Sequence, residues 1–253
     1  MLKPAKTTIM LAITAAVMLG LTSCDSKTEQ EKAYDKAIIK IKKAQADNAI
    51  ELDLEGLGLT QLPPEIGQLT SLCKLNLMGN SITELPPEFT QLTSLVLLEL
   101  GGNSLIDLPP GIGQLTSLGY LNLMGNSLTD LPPEITQLTS LNSLVLSDNE
   151  LTDLPAEIFK LTSLTLLCLD GNNLPGLPPE IGQLANLQCL DLSHNKLKSL
   201  PRLITAMNME IVWEDYLVTK GINLYGNPLE VPPVTIAKQG KAAIEQYFAK
   251  QDK

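Results

Sequence analysis

Leu118-Gly119-Tyr120-Leu121-Asn122-Leu123-Met124-Gly125-Asn126-Ser127-Leu128-Thr129-Asp130-Leu131-Pro132-Pro133-Glu134-Ile135-Thr136-Gln137-Leu138-Thr139-Ser140 is the stretch whose reading decides how this chain folds. Leu121 and Leu123 alternate with a period of two. Both leucines therefore point to one side of a short strand, and Tyr120, Asn122 and Met124 point to the other. Asn126 stands where that strand must turn away. Pro132 and Pro133 then bar a long helix, because proline lacks the N–H donor and restricts the residue before it. The return path is left as extended chain or short helical turns. The same 23-residue unit recurs, with Leu72, Leu95, Leu118, Leu141, Leu164 and Leu187 opening successive copies. A first copy starts at Ala49 and keeps Leu52, Leu54, Leu59, Leu62, Ile66 and Leu69, but carries Leu57 where the asparagine is expected. A partial eighth copy shows as Ile222, Leu224, Asn227 and Leu229.

One such unit cannot bury its leucines alone, so neighbours must stack. The spacing predicts an α/β solenoid of seven full repeats plus one partial, bent as a horseshoe, with eight strands forming a parallel sheet on the concave face. Composition agrees: 44% of the 253 residues are hydrophobic but only 4% aromatic, so one aliphatic residue type fills the core many times over. Asn80, Asn103, Asn126, Asn149, Asn172 and Asn195 predict a ladder of inward amides that satisfy main-chain groups at the turns. Solenoid ends need covers, and helical caps are expected at both. Residues 29–47 place Ala33, Ala37, Ile41 and Ala44 on one helical stripe with Ile38 beside it. Residues 238–250, with Ala242, Ile244, Tyr247 and Phe248, predict a closing helix. Strict spacing would open the eighth unit at Glu210, whereas its strand pattern fits an opening at Thr219. The insertion at 208–218 carries Trp213 and Tyr216. The chain thus divides into a leader at 1–23, a tether and capping helix at 24–48, seven repeats at 49–207, and a closing region at 208–253.

The leader has Lys3 and Lys6, an apolar run over residues 9–21, and then Leu21-Thr22-Ser23-Cys24. A positive start, an apolar middle and small residues before a cut describe a secretory signal. The tetrapeptide resembles the lipobox of bacterial lipoproteins, which implies lipid attachment at Cys24 and a protein exported and anchored to a membrane, facing the periplasm or exterior. An ordinary signal peptide or a transmembrane anchor is the other reading, the anchor being disfavoured because a span needs about 20 apolar residues. The three further cysteines, Cys73, Cys168 and Cys189, are an odd count, which weighs mildly against an oxidising compartment.

The units resemble the 23-residue Leu-Pro-Pro-Glu-Ile-Gly-Gln-Leu-Thr-Ser-Leu class of leucine-rich repeats. Ile50-Glu-Leu-Asp-Leu-Glu-Gly-Leu-Gly-Leu-Thr-Gln-Leu62 resembles the opening of the repeat domain in bacterial Roco proteins. Gly221-Ile-Asn-Leu-Tyr-Gly-Asn-Pro-Leu-Glu-Val-Pro-Pro233 and Gln239-Gly-Lys-Ala-Ala-Ile-Glu-Gln-Tyr-Phe248 resemble its closing. In that family a Roc GTPase domain normally follows, and here the sequence stops at Lys253. The resemblance implies the recognition half without the switch half.

No Gly-x4-Gly-Lys-Ser/Thr phosphate loop occurs, and His194 is the sole histidine, so neither nucleotide hydrolysis nor a histidine-based triad is expected. No catalytic residue, metal site or cofactor is assigned. The net charge of −10 disfavours nucleic acid. Cys168, Asp170, Cys189 and Asp191 all fall on outward positions of neighbouring units, and His194 sits in the turn beside Asn195, where it reads as a solvated turn residue. A zinc-like cluster can be imagined there, but on a flat sheet these are better read as variable surface positions. A Cys168–Cys189 bridge is disfavoured too. The two lie one strand and two residues apart, about 8 Å, beyond the roughly 7 Å that a disulfide spans. Rows of acid at Glu84, Asp107, Asp130 and Asp153, and at Glu65, Glu88, Glu134, Glu157 and Glu180, read as solubilising surface.

The outward strand positions are the expected partner-binding face: Lys74, Asn76, Met78, Leu97, Glu99, Tyr120, Asn122, Met124, Ser143, Val145, Leu166, Asp170, Asp191, Asn223 and Tyr225. Exposed Met, Leu and Tyr among polar groups suit a protein partner, while a small molecule would find no enclosing pocket. The function expected is a non-catalytic, membrane-tethered, protein-binding scaffold. The alternatives are a glycan- or envelope-binding surface protein, or the recognition half of a signalling system whose GTPase is elsewhere.

Overall fold

The computed structural model describes residues 27–215 and 219–251. The leader, Cys24 and Tyr216 lie outside the described residues. Helix α1 (Glu29–Ala46) opens at Thr28, whose hydroxyl accepts from the Glu31 N–H while the Glu31 carboxylate accepts from the Thr28 N–H. This reciprocal capping box satisfies two donors that a helix start would otherwise leave bare. α1 buries Ala33, Ala37, Ile41 and Ala44, the stripe the sequence places there, and so covers the first repeat.

Seven strands then follow at the repeat interval: β1 (Glu51–Asp53), β2 (Lys74–Asn76), β3 (Leu97–Glu99), β4 (Tyr120–Asn122), β5 (Ser143–Val145), β6 (Leu166–Cys168) and β7 (Cys189–Asp191). Each pairs parallel with the next, without register slip, so that Leu121 lies against Leu98 on one side and Leu144 on the other. These leucines are fully buried. The return path is a 3-10 turn in every unit, such as Pro133–Gln137. The first proline of each pair sits extended before the turn, and the second takes the first helical position, where a missing N–H costs nothing. Ile135 is buried beneath that turn, which closes with the Leu138 N–H donating to the Ile135 carbonyl. At Gly113 the backs of two units nearly touch: a Cβ there would stand 2.6 Å from the Glu134 carbonyl oxygen.

The asparagine ladder is present and has a direction. Asn126 Nδ2 donates to its own unit's Leu123 carbonyl at 2.9 Å and to Leu100 of the preceding unit at 3.1 Å, while its Oδ1 accepts from the Leu105 N–H at 3.0 Å. Each asparagine therefore serves the unit before it. Unit one has no unit before it, which is why Leu57 does no harm there: the turn of unit one is tied by Asn80, through Leu54 and Leu59.

The far end departs from expectation. Among the described residues the sheet has nine strands, where eight were expected, in the order β1-β2-β3-β4-β5-β6-β7-β9-β8. β8 (Ile211–Val212) comes from the insertion, and β9 (Gly221–Asn223), the strand of the partial repeat, slides in between β7 and β8. The slip in period is the chain needed to make an outermost strand. A short helix, α2 (Val234–Ala237), precedes the expected closing helix, which is α3 (Lys241–Gln251); Gly240, between them, has a φ of +88° that suits only glycine. α3 buries Ile244 and Phe248, while Ala242 is exposed.

Candidate functional site

Parallel pairing in constant register stacks the outward residues of successive strands into rows. Tyr120, Ser143, Leu166 and Cys189 form one row, and Asn122, Val145, Cys168 and Asp191 the next. Two residues further along each unit come Met124, Ser147, Asp170 and Ser193. Over units four to seven the inner face holds a hollow of about 570 Å³, lined by members of all three rows and closed at one end by His194 and Asp215. The hollow is open to solvent along the concave face and is not an enclosed pocket.

Of the residues expected to bind a partner, Tyr120, Asn122, Met124, Ser143, Val145, Leu166, Asp170 and Asp191 are brought together in this hollow. The others are not. Lys74 pairs with Glu51 at 2.7 Å, and Asn76 donates to Glu55 at 2.8 Å. Met78, Leu97 and Glu99 are half-buried on earlier units. Asn223 and Tyr225 lie beyond the hollow on and after β9.

Outward strand residues are also less free of structural duty than alternation suggests. Asn122, Asp191 and Asn223 are buried. In each, the side-chain oxygen accepts from the N–H two residues on, at Met124, Ser193 and Tyr225, and so shapes the exit from the strand. Asn223 also holds the insertion against the sheet, donating to the Glu214 carbonyl at 3.1 Å and to Asp191 at 3.3 Å. Cys168 and Cys189, expected outward, are buried as well. Burial first, and neighbouring acidic groups after it, push their thiols up to about 12 and about 11. At neutral pH both are protonated thiols, not the thiolates that bind metal or attack substrates. The register sets Cys168 opposite Asp191 and Cys189 opposite Leu166, the offset that disfavours a bridge.

Three lining residues, Ser147, Ser193 and Asp215, were not singled out from sequence. Ser147 and Ser193 occupy the same place in their units as Met124 and Asp170, so the period alone could have named them. His194, expected as a solvated turn residue, is exposed, at φ +51°, and its Nε2 lies 2.8 Å from Asp215. Its ring meets Tyr225 edge-on at 5.3 Å, and Tyr225 in turn meets Trp213. Asp215 belongs to the insertion, and no repeat position announces it.

Comparison with known proteins agrees with this architecture. A family described as "Leucine-rich repeat region" matches residues 51–121 and 110–177, and a single "Leucine Rich Repeat" matches residues 186–207. Curated proteins give no match. Among solved structures, a leucine-rich-repeat protein of Leptospira interrogans is 33% identical with a TM-score of 0.54, over 78% of this chain and 61% of that one. The ectodomain of an Arabidopsis thaliana membrane receptor kinase, solved in complex with CASPARIAN STRIP INTEGRITY FACTOR 2, is 37% identical with a TM-score of 0.57 over 67% of this chain. A plant peptide hormone receptor, solved in complex with RGF2, is 32% identical with a TM-score of 0.58, also over 67%. The match spans only 20% and 27% of those two receptor chains.

Proposed function

This chain belongs to the leucine-rich repeat family, and from that premise we propose that it is a non-catalytic scaffold, lipid-anchored at Cys24 to a bacterial membrane, that takes a protein partner on its concave sheet. The family's fold generally serves protein–protein interaction, and two of its similar structures were solved with a bound partner. The observation that carries the reading is the concave hollow. Tyr120, Met124, Val145 and Leu166 present apolar surface to solvent there, with Met124 44% exposed. Apolar side chains gathered in a hollow with a polar rim are what a protein interface needs at its centre. Export and the tether rest on the leader sequence alone.

A photo-crosslinking residue at position 124, in cells of the native host, is expected to capture a discrete protein band that the same residue at position 134, on the outer side, does not. Capture from 134 and not from 124 would overturn the concave assignment. For the tether, labelled palmitate is expected in the wild type and not in Cys24→Ala; equal label in both refutes it.

A further inference from the structure

The hollow has two chemically different ends. One end is apolar, formed by Tyr120, Met124, Val145 and Leu166; the other carries the carboxylates of Asp170, Asp191 and Asp215, and no Lys or Arg is in the lining. Its one basic side chain, His194, already stands against Asp215. Asp170 and Asp191 are satisfied by neutral donors: the Ser147 hydroxyl reaches Asp170 at 2.6 Å, and Ser193 and Asn223 reach Asp191. Among the described residues no ion pair involves either carboxylate. Burial, with the Asp191 charge adding to it, pushes the Asp170 carboxyl up despite the Ser147 hydroxyl. That is the behaviour of an acidic group short of positive charge.

Building on the concave face as a protein-binding surface, we infer that the hollow takes an extended segment of the partner in which a lysine or arginine stands two residues from a large apolar side chain. Charge complementarity selects the cation, and the apolar end selects its neighbour. The spacing follows from the repeat. Val145 and Leu166 lie one strand over and two residues along from Asp170 and Asp191 respectively, about 8 Å at about 4.8 Å per strand and about 3.3 Å per residue. An extended peptide crossing the strands puts residues i and i+2 on the same side about 6.8 Å apart, and the length of a Lys or Arg side chain covers the difference. A glycan would want several aromatic faces, and the lining offers only the Tyr120 ring besides His194. A small polycation would leave the apolar end unused.

The test is selection of a displayed library of random dodecapeptides on the full chain, followed by titration of the most enriched synthetic peptide. The expected result is enrichment of Lys or Arg with an apolar residue two positions away. Affinity should fall at least tenfold in Asp170→Asn and at least fivefold in Leu166→Ser, with melting temperature and circular dichroism close to wild type. Enriched peptides that lose binding in Tyr120→Ala/Met124→Ala but carry no basic residue overturn this inference and leave the protein-binding reading standing. No enrichment, or binding indifferent to both sets of substitutions, overturns the two together. Spermidine displacing the peptide at an equal or lower concentration shows a bare cation site, and also overturns the proposal.

Discussion

Units one to three and units four to seven are built on the same strand and the same asparagine ladder, but they dispose of concave-face charge differently. In the earlier units the concave-face carboxylates stand in water: Glu51, Asp53 and Glu55 are exposed, Lys74 faces Glu51, Asn76 donates to Glu55, and Asn122 of unit four reaches back to the half-buried Glu99 at 2.7 Å. In the later units Asp170 is half-buried and Asp191 buried, they meet only neutral donors, and they lie next to partly exposed apolar side chains. A carboxylate already solvated or paired offers little to a partner, since a new contact must first displace water or an old bond. A face with apolar surface and uncompensated charge gains on association. The scaffold sets where side chains stand, and the variable positions decide which stretch of it recognises anything.

The largest expected effect concerns what the two regions share. Asn126→Leu leaves the Leu105 N–H without its partner and takes one of two amide donors from the Leu100 and Leu123 carbonyls, which keep Asn103 and Asn149. At about 1–3 kcal/mol for the orphaned buried N–H and about 1 kcal/mol for each lost carbonyl bond, a loss of about 3–5 kcal/mol is expected in urea unfolding. Asn195→Leu, in the later region, should cost about the same, because it makes the same set of bonds to Leu169, Leu192 and Leu174. Widely unequal losses would break the claim of one common scaffold. Gly113→Ala comes next, since its methyl must displace the Glu134 carbonyl and the Gln137 side chain. About 1–3 kcal/mol of destabilisation is expected, the usual cost of overpacking a tight contact. Wild-type stability would show that the backs of the units can separate freely.

Smaller effects separate the regions. The Asp170 carboxyl titrates above its ordinary 3.8 in the folded chain. A raised folded value means that the stability it contributes is present in acid and is lost as pH rises through that value. Asp170→Asn is therefore expected to melt slightly above wild type at pH 7, with the advantage vanishing below pH 3.8, as scanning calorimetry would show. A lower melting temperature for Asp170→Asn at pH 7 would mean that the carboxylate is stabilising and compensated. In the earlier region, Lys74→Ala removes an exposed ion pair and is expected to leave the melting temperature unchanged.

Much of this was legible from leucine spacing alone, because a period of two within the strand and 23 between strands leaves one way to bury Leu121, Leu144 and their equivalents. The amide ladder was legible too, but its direction was not, so the tolerance for Leu57 in unit one had no cause until Asn80 was seen to reach back to Leu54. Alternation also misjudged Asn122, Asp191 and Asn223. It reports which side of the sheet a residue faces, and it is silent on a short polar side chain that folds back onto the N–H two residues on. The outermost strand, and with it Asp215 at the mouth of the hollow, was hidden because the insertion follows no repeat. Its place depends on β9 being held between β7 and β8, a long-range pairing with no local signature.

The central claim, that recognition sits on the concave face at units four to seven, is tested most directly by the affinity of the native partner, once captured, for three purified chains. Tyr120→Ala/Met124→Ala is expected to fold like wild type and to bind more weakly by more than about 1 kcal/mol, the mark of a residue that matters at an interface. Glu134→Ala/Gln137→Ala, on the outer side of the same unit, is expected to bind as wild type does. Full affinity in the first variant with loss in the second would contradict the account and move the partner to the convex side.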